Sequence, residues 1–153
     1  MEPLAPRLIL VPTDFGPHAA QALRYAAALA GRFQSHLLVI YADTFVSPVD
    51  YTASVGGAFA IPRDELIEGA REQLRRFVRA NVGDDAVACD LRVVLSTPGP
   101  AISELVRETG ANLIVMGTHG RRGIRHAVLG SDAEAVVHAT GVPVLLIRAP
   151  GRK

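Results

Sequence analysis

The sequence predicts an α/β fold in which a parallel sheet lies between helices on both of its faces. Five short apolar runs recur along the 153 residues, and most are continuous, as in strands that are covered on both faces. Between these runs, apolar residues recur every three or four positions, which is the period of an amphipathic helix. Alternating strands and helices imply right-handed crossovers and a doubly wound, three-layer sandwich.

The first predicted strand covers residues 8–11, and the others cover 37–40, 91–95, 113–116 and 142–147. The first predicted helix runs from Pro17 to about Phe33, where Pro17 suits the first turn because its missing N–H would have no partner there. Its inward residues, at three- and four-residue spacing, are Leu23, Ala26, Ala27, Ala30 and Phe33.

Three further helices follow the same logic. The second, from about Pro62 to Asn81, places Leu66, Ala70, Leu74, Phe77 and Val78 on one stripe. The third starts near Pro100, and Gly110 is placed to end it. The fourth spans Ser131 to Thr140, where Ser131 and Glu134 match a capping box.

The stretch from Asp43 to Ile61 fits no regular element, because it is rich in small residues. Connections in α/β folds are usually about 2 to 6 residues long, so this one is longer than expected. It is either a lid or a mobile insertion, and the sequence leaves both interpretations open.

Bulk properties indicate one soluble domain over residues 1–153. Apolar residues make up 49% of the chain, and a net charge of +1 provides no field that would gather nucleic acid or an anionic membrane. The single cysteine, Cys89, cannot form an intrachain disulfide, and neither a secretory signal nor an apolar run of about 20 residues is present. We therefore expect a cytoplasmic protein that binds neither nucleic acid nor membrane.

The segment from Gly117 to Ser131 carries the clearest chemical pattern. Its spacing is Gly, two residues, Gly, nine residues and Gly-Ser, and it lies between a predicted strand and a predicted helix. Glycine lets backbone N–H groups approach an anion, and a helix N-terminus adds unpaired N–H groups and partial positive charge. The pattern predicts a phosphate site, whereas Ser131 and Glu134 taken alone are also explained as a helix cap.

This pattern resembles the ATP-binding branch of the universal stress protein family. The resemblance begins at the run from Leu8 to Asp14, continues through the segment from Gly130 to Val137, and ends at the run from Pro143 to Arg148. It covers nearly the whole chain. It implies a five-stranded parallel sheet of order 3-2-1-4-5, with ATP and Mg²⁺ as ligands.

The resemblance also implies roles for individual residues. Pro12, Thr13 and Asp14 would border the adenosine, with the Asp14 carboxylate accepting hydrogen bonds from the ribose, and the backbone at Ala42 would contact adenine. For Asp14, a helix-capping role is the alternative.

The remaining contacts would come from the glycine segment. Met116 and Gly117 would pack near the ribose and first phosphate, whereas Gly120, Gly130 and Ser131 would hold the phosphates. His119 would approach a phosphate, and Arg121, with Arg122 and Arg125, would add positive charge. These four side chains have solvated loop positions as their alternative.

Three positions depart from the family pattern. Gly16 replaces a common serine, so the first helix lacks a hydroxyl cap. The segment Pro98-Gly99-Pro100 stands where the family has Gly-x-Pro before the third helix. Asp132 adds a negative charge beside Ser131, which suits a helix start but opposes phosphates unless a metal intervenes.

No nucleophile with a matching base, P-loop or dinucleotide fingerprint is found, so we expect no enzyme beyond slow ATP hydrolysis. The leading hypothesis is an ATP-dependent sensor whose nucleotide orders residues 43–61 and the glycine loop. Alternatives are a nucleotide-independent dimerisation and interaction module, or a nucleotide-using transferase or hydrolase. The apolar last strand would lie at the sheet edge under the family order, which predicts a homodimer through residues 142–148.

Overall fold

Strands and helices alternate along the chain in the computed structural model, which describes residues 5–42, 62–84, 88–120 and 129–149. The strands are β1 (Leu8–Thr13), β2 (His36–Ala42), β3 (Cys89–Val94), β4 (Leu113–Gly117) and β5 (Val144–Ile147). The helices are α1 (Pro17–Phe33), α2 (Arg63–Val82), α3 (Pro98–Thr109) and α4 (Ser131–Ala139).

The strands form one parallel sheet in the order β3-β2-β1-β4-β5. The predicted fold class and strand order are therefore confirmed. The segment 43–61, interpreted as a lid or an insertion, lies outside the described residues. Within the described part of the chain, no helix is both long and apolar enough to cross a membrane.

Two apolar cores flank the sheet because successive side chains of a strand point to opposite faces. Ile9, Val11 and Val39 pack on the face covered by α1 and α2. Leu10, Ile40 and Ile114 pack on the other face, with Ile102 and Leu105 of α3 among their neighbours. Burial on both faces explains why the strands are continuous apolar runs in the sequence.

Helix α1 has the predicted bounds, but Phe33 does not join the core. Its side chain is 48% exposed, and Gln34 follows in the left-handed region at φ 56°, where its N–H donates to the Ala30 carbonyl. The end of the helix therefore turns this position away from the sheet. At α3, Gly110 ends the helix as predicted, with φ 71° and its N–H on the Val106 carbonyl.

Helix α3 begins at Pro98, earlier than predicted, since a proline needs no N–H partner in the first turn. The unusual Pro98-Gly99-Pro100 segment is thus the start of the helix itself. A Cβ on Gly99 would lie 3.2 Å from the Cβ of Ala135 in α4. This glycine therefore allows α3 and α4 to pack closely.

Strands β3 and β5 differ from the prediction at their ends. Strand β3 begins at Cys89 and ends at Val94, so Leu95 is outside it. Strand β5 begins at Val144, later than predicted, because Pro143 has no N–H to donate to a ladder. The Pro143 carbonyl still accepts a hydrogen bond of 3.0 Å from the Ile114 N–H.

Asn112 fastens the segment before β1 to the sheet. Its Oδ1 accepts hydrogen bonds from the N–H groups of Arg7 (2.8 Å) and Leu8 (3.2 Å), and its Nδ2 donates to the Ala5 carbonyl (3.3 Å). We expect Asn112→Ala to lower the free energy of unfolding by about 2 kcal/mol, since three hydrogen bonds are lost. Urea denaturation measures this loss. Asn112→Asp, which keeps the acceptor, is the matched control with a smaller loss, and equal stability of wild type and Asn112→Ala would contradict the assignment.

Candidate functional site

The carboxyl ends of β1 and β4 lie side by side at the centre of the sheet. Strand β1 pairs with β2 on one side and with β4 on the other, so the strand order reverses between β1 and β4. Ligands of open α/β sheets bind in the crevice beyond the strand ends at such a switch point. The loops after β1 and β4 are therefore the walls of the candidate site.

The loop after β1 is a tight turn held by its own side chains. Thr13 Oγ1 accepts a hydrogen bond from the Phe15 N–H, and Asp14 Oδ1 accepts one from the Gly16 N–H, each 2.9 Å long. Phe15 lies in the left-handed region at φ 65°, and its ring packs 4.6 Å from that of Tyr41. The turn thus holds Asp14 in place at the end of β1.

Asp14 is not the N-cap residue of α1, so its carboxylate does not have the helix-capping role given above as the alternative to ribose binding. The N-cap residue is Gly16, which has no side-chain cap, and Oδ1 bonds to the N–H of that residue rather than to the first turn. The other carboxylate oxygen, Oδ2, faces the loop after β4. A Cβ placed on Gly120 would lie 3.2 Å from it. The two loops meet at this point.

The other two glycines of the motif meet backbone atoms or the neighbouring helix. A Cβ on Gly117 would lie 2.7 Å from the Cβ of His18 and 3.0 Å from its carbonyl carbon, so Gly117 allows α1 to cross the end of β4. A Cβ on Gly130 would lie 3.1 Å from the Thr118 carbonyl oxygen, which accepts a 2.7 Å hydrogen bond from the Gly130 N–H. Gly130 therefore joins the two ends of the glycine segment.

The predicted capping box at α4 is wrong. Gly130, with extended backbone, is the N-cap residue, and its carbonyl accepts the Glu134 N–H at 2.9 Å. Ser131 is the first helical residue, is exposed, and makes no side-chain cap bond. Because the first N–H groups of a helix lack acceptors within it, residues 131–133 present donors at this end of α4. The serine hydroxyl is not used to cap the helix.

A polar cluster beside the site was missed by sequence reasoning. Thr118 Oγ1 lies 3.0 Å from Nδ1 of His119 and 3.5 Å from Nδ1 of His18. The His18 Nδ1 also accepts a 3.1 Å hydrogen bond from the Ala149 N–H, which ties α1 to the residues after β5. Nothing in the local pattern marks His18, because its partners are 100 and 131 residues away in the chain.

Asp132, the second residue of α4, brings another carboxylate to the site. Partial desolvation, and then the negative charge of Asp14, raise the pKa of the Asp132 carboxyl above its usual range. The loop after β1 also meets the start of α4 through the glycine loop, because a Cβ on Gly120 would lie 3.2 Å from Asp14 Oδ2 and a Cβ on Gly130 would lie 3.6 Å from the Gly120 nitrogen. No ion pair to Asp132 is found among the described residues.

Asp132→Asn is expected to raise the free energy of unfolding near pH 7. Because the folded-state pKa is raised, the folded protein binds more protons than the unfolded chain above the usual pKa of about 4, and stability falls as the pH rises through this window. The uncharged amide removes that cost at neutral pH. Urea unfolding at neutral and acidic pH measures the gain, with Glu134→Gln as the control; a gain that persists below about pH 4 would contradict this explanation.

The structure brings most of the predicted site residues to one edge of the sheet. Pro12 and Thr13 end β1, and Ala42 ends β2. Met116, only 6% exposed, packs into the core on the α3 and α4 face. Arg121, together with Arg122 and Arg125, lies outside the described residues.

Two other kinds of site, a metal centre and a reactive thiol, were sought among the residues that the structure describes. In those ranges, no group of three or more His, Cys, Asp or Glu side chains is placed to hold a metal ion. Cys89 is half-buried, and its burial, followed by the charge of Asp90, raises the pKa of the thiol to about 11. This thiol is therefore protonated at neutral pH and is a poor nucleophile.

The model of the universal stress protein family matches residues 6–148. This chain belongs to the universal stress protein family. The universal stress protein Sll1388 of Synechocystis is 32% identical over 149 residues, which cover 92% of this chain and 96% of the relative. The family assignment made from the sequence is therefore confirmed.

Solved structures of this family share the fold. The structure of MJ0577 from Methanocaldococcus jannaschii superposes with a TM-score of 0.76 at 22% identity and covers 95% of this chain and 98% of its own. A universal stress protein in complex with cAMP gives 0.66 at 23% identity, with 95% and 99% covered. The Archaeoglobus fulgidus protein in complex with dAMP gives 0.61 at 20% identity, with 92% and 97% covered.

Proposed function

We propose that this universal stress protein binds adenine nucleotides, ATP with Mg²⁺ foremost, and acts as a nucleotide-dependent sensor that partner proteins read in the cytoplasm. The observation that carries the proposal is the meeting of Asp14 and Gly120 beside the start of α4. There the Gly120 Cβ position is 3.2 Å from the Asp14 carboxylate, and the first N–H groups of α4 lack acceptors within the helix.

The residues present suit a nucleotide. Glycine at position 120 leaves space that a side chain would fill, and the start of α4 supplies N–H donors and partial positive charge for a phosphate. The Ser131 hydroxyl, which does not cap α4, is a further donor. Support also comes from the family members solved with cAMP and dAMP, both adenine nucleotides.

The proposed roles combine the positions of the described residues with the family resemblance, which alone assigns the role of Arg121. Asp14 accepts hydrogen bonds from the ribose hydroxyls, and the backbone at Ala42, at the end of the neighbouring strand, contacts adenine. Gly120 and Ser131 hold the phosphates, while His119, whose Nδ1 lies 3.0 Å from Thr118 Oγ1, and Arg121 assist them.

Equilibrium dialysis of the purified protein against ATP, ADP, AMP and GTP in the presence of Mg²⁺ tests the proposal. We expect saturable binding of the adenine nucleotides in preference to GTP. Lack of ATP binding at millimolar concentration would overturn the proposal. Mass spectrometry of small molecules that copurify with the protein identifies the nucleotide held in the cell.

An alternative is a dimerisation and interaction module that needs no nucleotide, and the edge strand β5 favours it. Strand β5 pairs only with β4 within the sheet, and Leu145 on it is 37% exposed. Apolar edges are normally covered, so we propose a homodimer through residues 142–148. Sedimentation velocity with and without ATP separates the two functions: a dimer that binds no ATP supports the alternative, and a monomer at micromolar concentration contradicts the proposed interface.

We further propose that any ATP hydrolysis is slow. Asp14 Oδ1 accepts the Gly16 N–H, and the hydroxyl–imidazole contacts described at this site are those of Thr118 with His119 and His18, of which His18 Nδ1 already accepts the Ala149 N–H. Product detection after long incubation with ATP, with Gly120→Val as the control protein, measures the activity. Rapid turnover by wild type alone would favour the hydrolase or transferase alternative.

A further inference from the structure

We propose that Asp132 makes this site selective for the metal complex of a polyphosphate nucleotide and against the free polyphosphate. The inference rests on the proposed nucleotide site and adds a specificity determinant to it. Repulsion by the carboxylates of Asp132 and Asp14 would oppose a free triphosphate, whereas a divalent cation between carboxylate and phosphate would remove that repulsion.

Asp132 lies in the first turn of α4, beside the N–H groups that would bind a phosphate. Ser131, Asp132 and Ala133 are the first three residues of α4, and their N–H groups are the donors that a phosphate would use. A carboxylate on the second of these residues is attached to the same helical turn as the donors. An anion that binds this helix start therefore lies close to the Asp132 charge.

Negative charge exceeds positive charge at this helix start. The N-terminus of a helix has a partial charge equivalent to about +0.5, whereas Asp14 and Asp132 together carry two full negative charges when ionised. Geometry brings Asp14 to this helix start: a Cβ on Gly120 would lie 3.2 Å from Asp14 Oδ2, and a Cβ on Gly130, the N-cap residue of α4, would lie 3.6 Å from the Gly120 nitrogen. Each additional phosphate on a nucleotide adds negative charge, so the opposition grows from AMP to ATP.

A divalent cation would need ligands from both the protein and the nucleotide at this site. Mg²⁺ is commonly bound by one or two carboxylates together with substrate phosphates and water. The described residues contain no cluster of three or more acidic, His or Cys side chains that would hold a metal alone. Asp132 thus suits a cation that arrives with the nucleotide, while Asp14 keeps its proposed contact with the ribose. Mg²⁺ without nucleotide should therefore show no binding in a calorimetric titration.

The experiment compares ATP and AMP binding at constant ionic strength, in Mg²⁺ or in EDTA, by isothermal titration calorimetry. For the wild type we expect ATP affinity to fall about tenfold or more in EDTA, while AMP affinity changes much less. Asp132→Asn should recover about tenfold in ATP affinity in EDTA and leave AMP binding unchanged. Glu134→Gln removes the same charge from a residue of the same helix whose N–H is already bound to the Gly130 carbonyl, and it should behave as the wild type.

The outcomes distinguish this inference from the function on which it rests. ATP binding whose dependence on Mg²⁺ is the same in wild type and Asp132→Asn overturns the inference and leaves nucleotide binding standing. Equal wild-type affinities for ATP in Mg²⁺ and EDTA also overturn it, since cations of the protein, such as Arg121, would then neutralise the phosphates. Absence of any nucleotide binding overturns both.

A purely structural role of Asp132 gives a different result. An acidic residue in the first turn stabilises a helix through its dipole, and loss of that effect would change the unfolding free energy. It would not change the ratio of ATP affinities in Mg²⁺ and EDTA. Circular dichroism and urea unfolding of Asp132→Asn establish that the variant is folded, and the affinity ratio then decides the role.

Discussion

Gly120→Val is expected to abolish measurable ATP binding while the protein remains folded. Of the described neighbours, a Cβ at this position meets only the Asp14 carboxylate, at 3.2 Å, and the valine methyl groups would extend into the space between the two loops. A steric cost of about 3 kcal/mol corresponds to a loss of affinity of about a hundredfold. Equilibrium dialysis measures that loss.

The fold should tolerate this valine for two reasons. Gly120 does not have the positive φ that strains other residues, and its close neighbour is the end of a side chain rather than backbone. Gly141→Val is the matched control, because a Cβ there meets no atom within 4 Å and lies away from the glycine segment. Retention of wild-type ATP affinity by Gly120→Val would show that the nucleotide binds elsewhere.

Gly117→Ala is expected to destabilise the folded protein more than Gly120→Val does. Its Cβ would lie 2.7 Å from the Cβ of His18 and 3.0 Å from the His18 carbonyl carbon, so the start of α1 must move away from β4. We expect a loss of about 3 kcal/mol, which corresponds to a fall in Tm of about 10 °C for a chain of this size. Urea and thermal unfolding measure both quantities.

The control for this substitution is Gly141→Ala, which adds the same methyl group in open space. It should change the unfolding free energy by less than about 0.5 kcal/mol. A loss of similar size in both variants would mean that glycine flexibility, rather than the contact with His18, determines the effect. Full stability of Gly117→Ala would show that α1 accommodates the methyl group without cost.

These two substitutions separate roles that one sequence motif combines. The spacing of Gly117, Gly120 and Gly130 predicts a single phosphate-binding element, whereas their contacts differ. Gly117 meets α1, Gly120 meets the Asp14 carboxylate, and Gly130 meets the backbone at Thr118 and His119. A substitution at Gly130 would therefore disturb both the loop and the proposed site, which makes it a less informative test than Gly120→Val.

The cap of α4 shows why a correct motif can carry a wrong local assignment. Ser131 and Glu134 have the spacing of a capping box, yet the helix begins one residue earlier than that pattern requires. The Gly130 N–H is bound to the Thr118 carbonyl, and the Gly130 carbonyl accepts the Glu134 N–H. This contact between the loop after β4 and the helix start, which local spacing does not encode, places the cap on Gly130.

The amino-acid pattern was enough to predict the fold class and the strands and helices to within a few residues, and the family resemblance gave the strand order; the roles of the candidate site residues remain predictions. The elements could be predicted because burial on both faces of a sheet and on one side of a helix leaves a local, periodic pattern of apolar residues. Three features came from the packing of the folded chain: which glycine faces Asp14, how His18 joins Thr118 to Ala149, and that the start of α4 meets the loop after β1. Each of these contacts joins residues about a hundred or more positions apart, so it depends on how the strands and helices pack and leaves no local pattern in the chain.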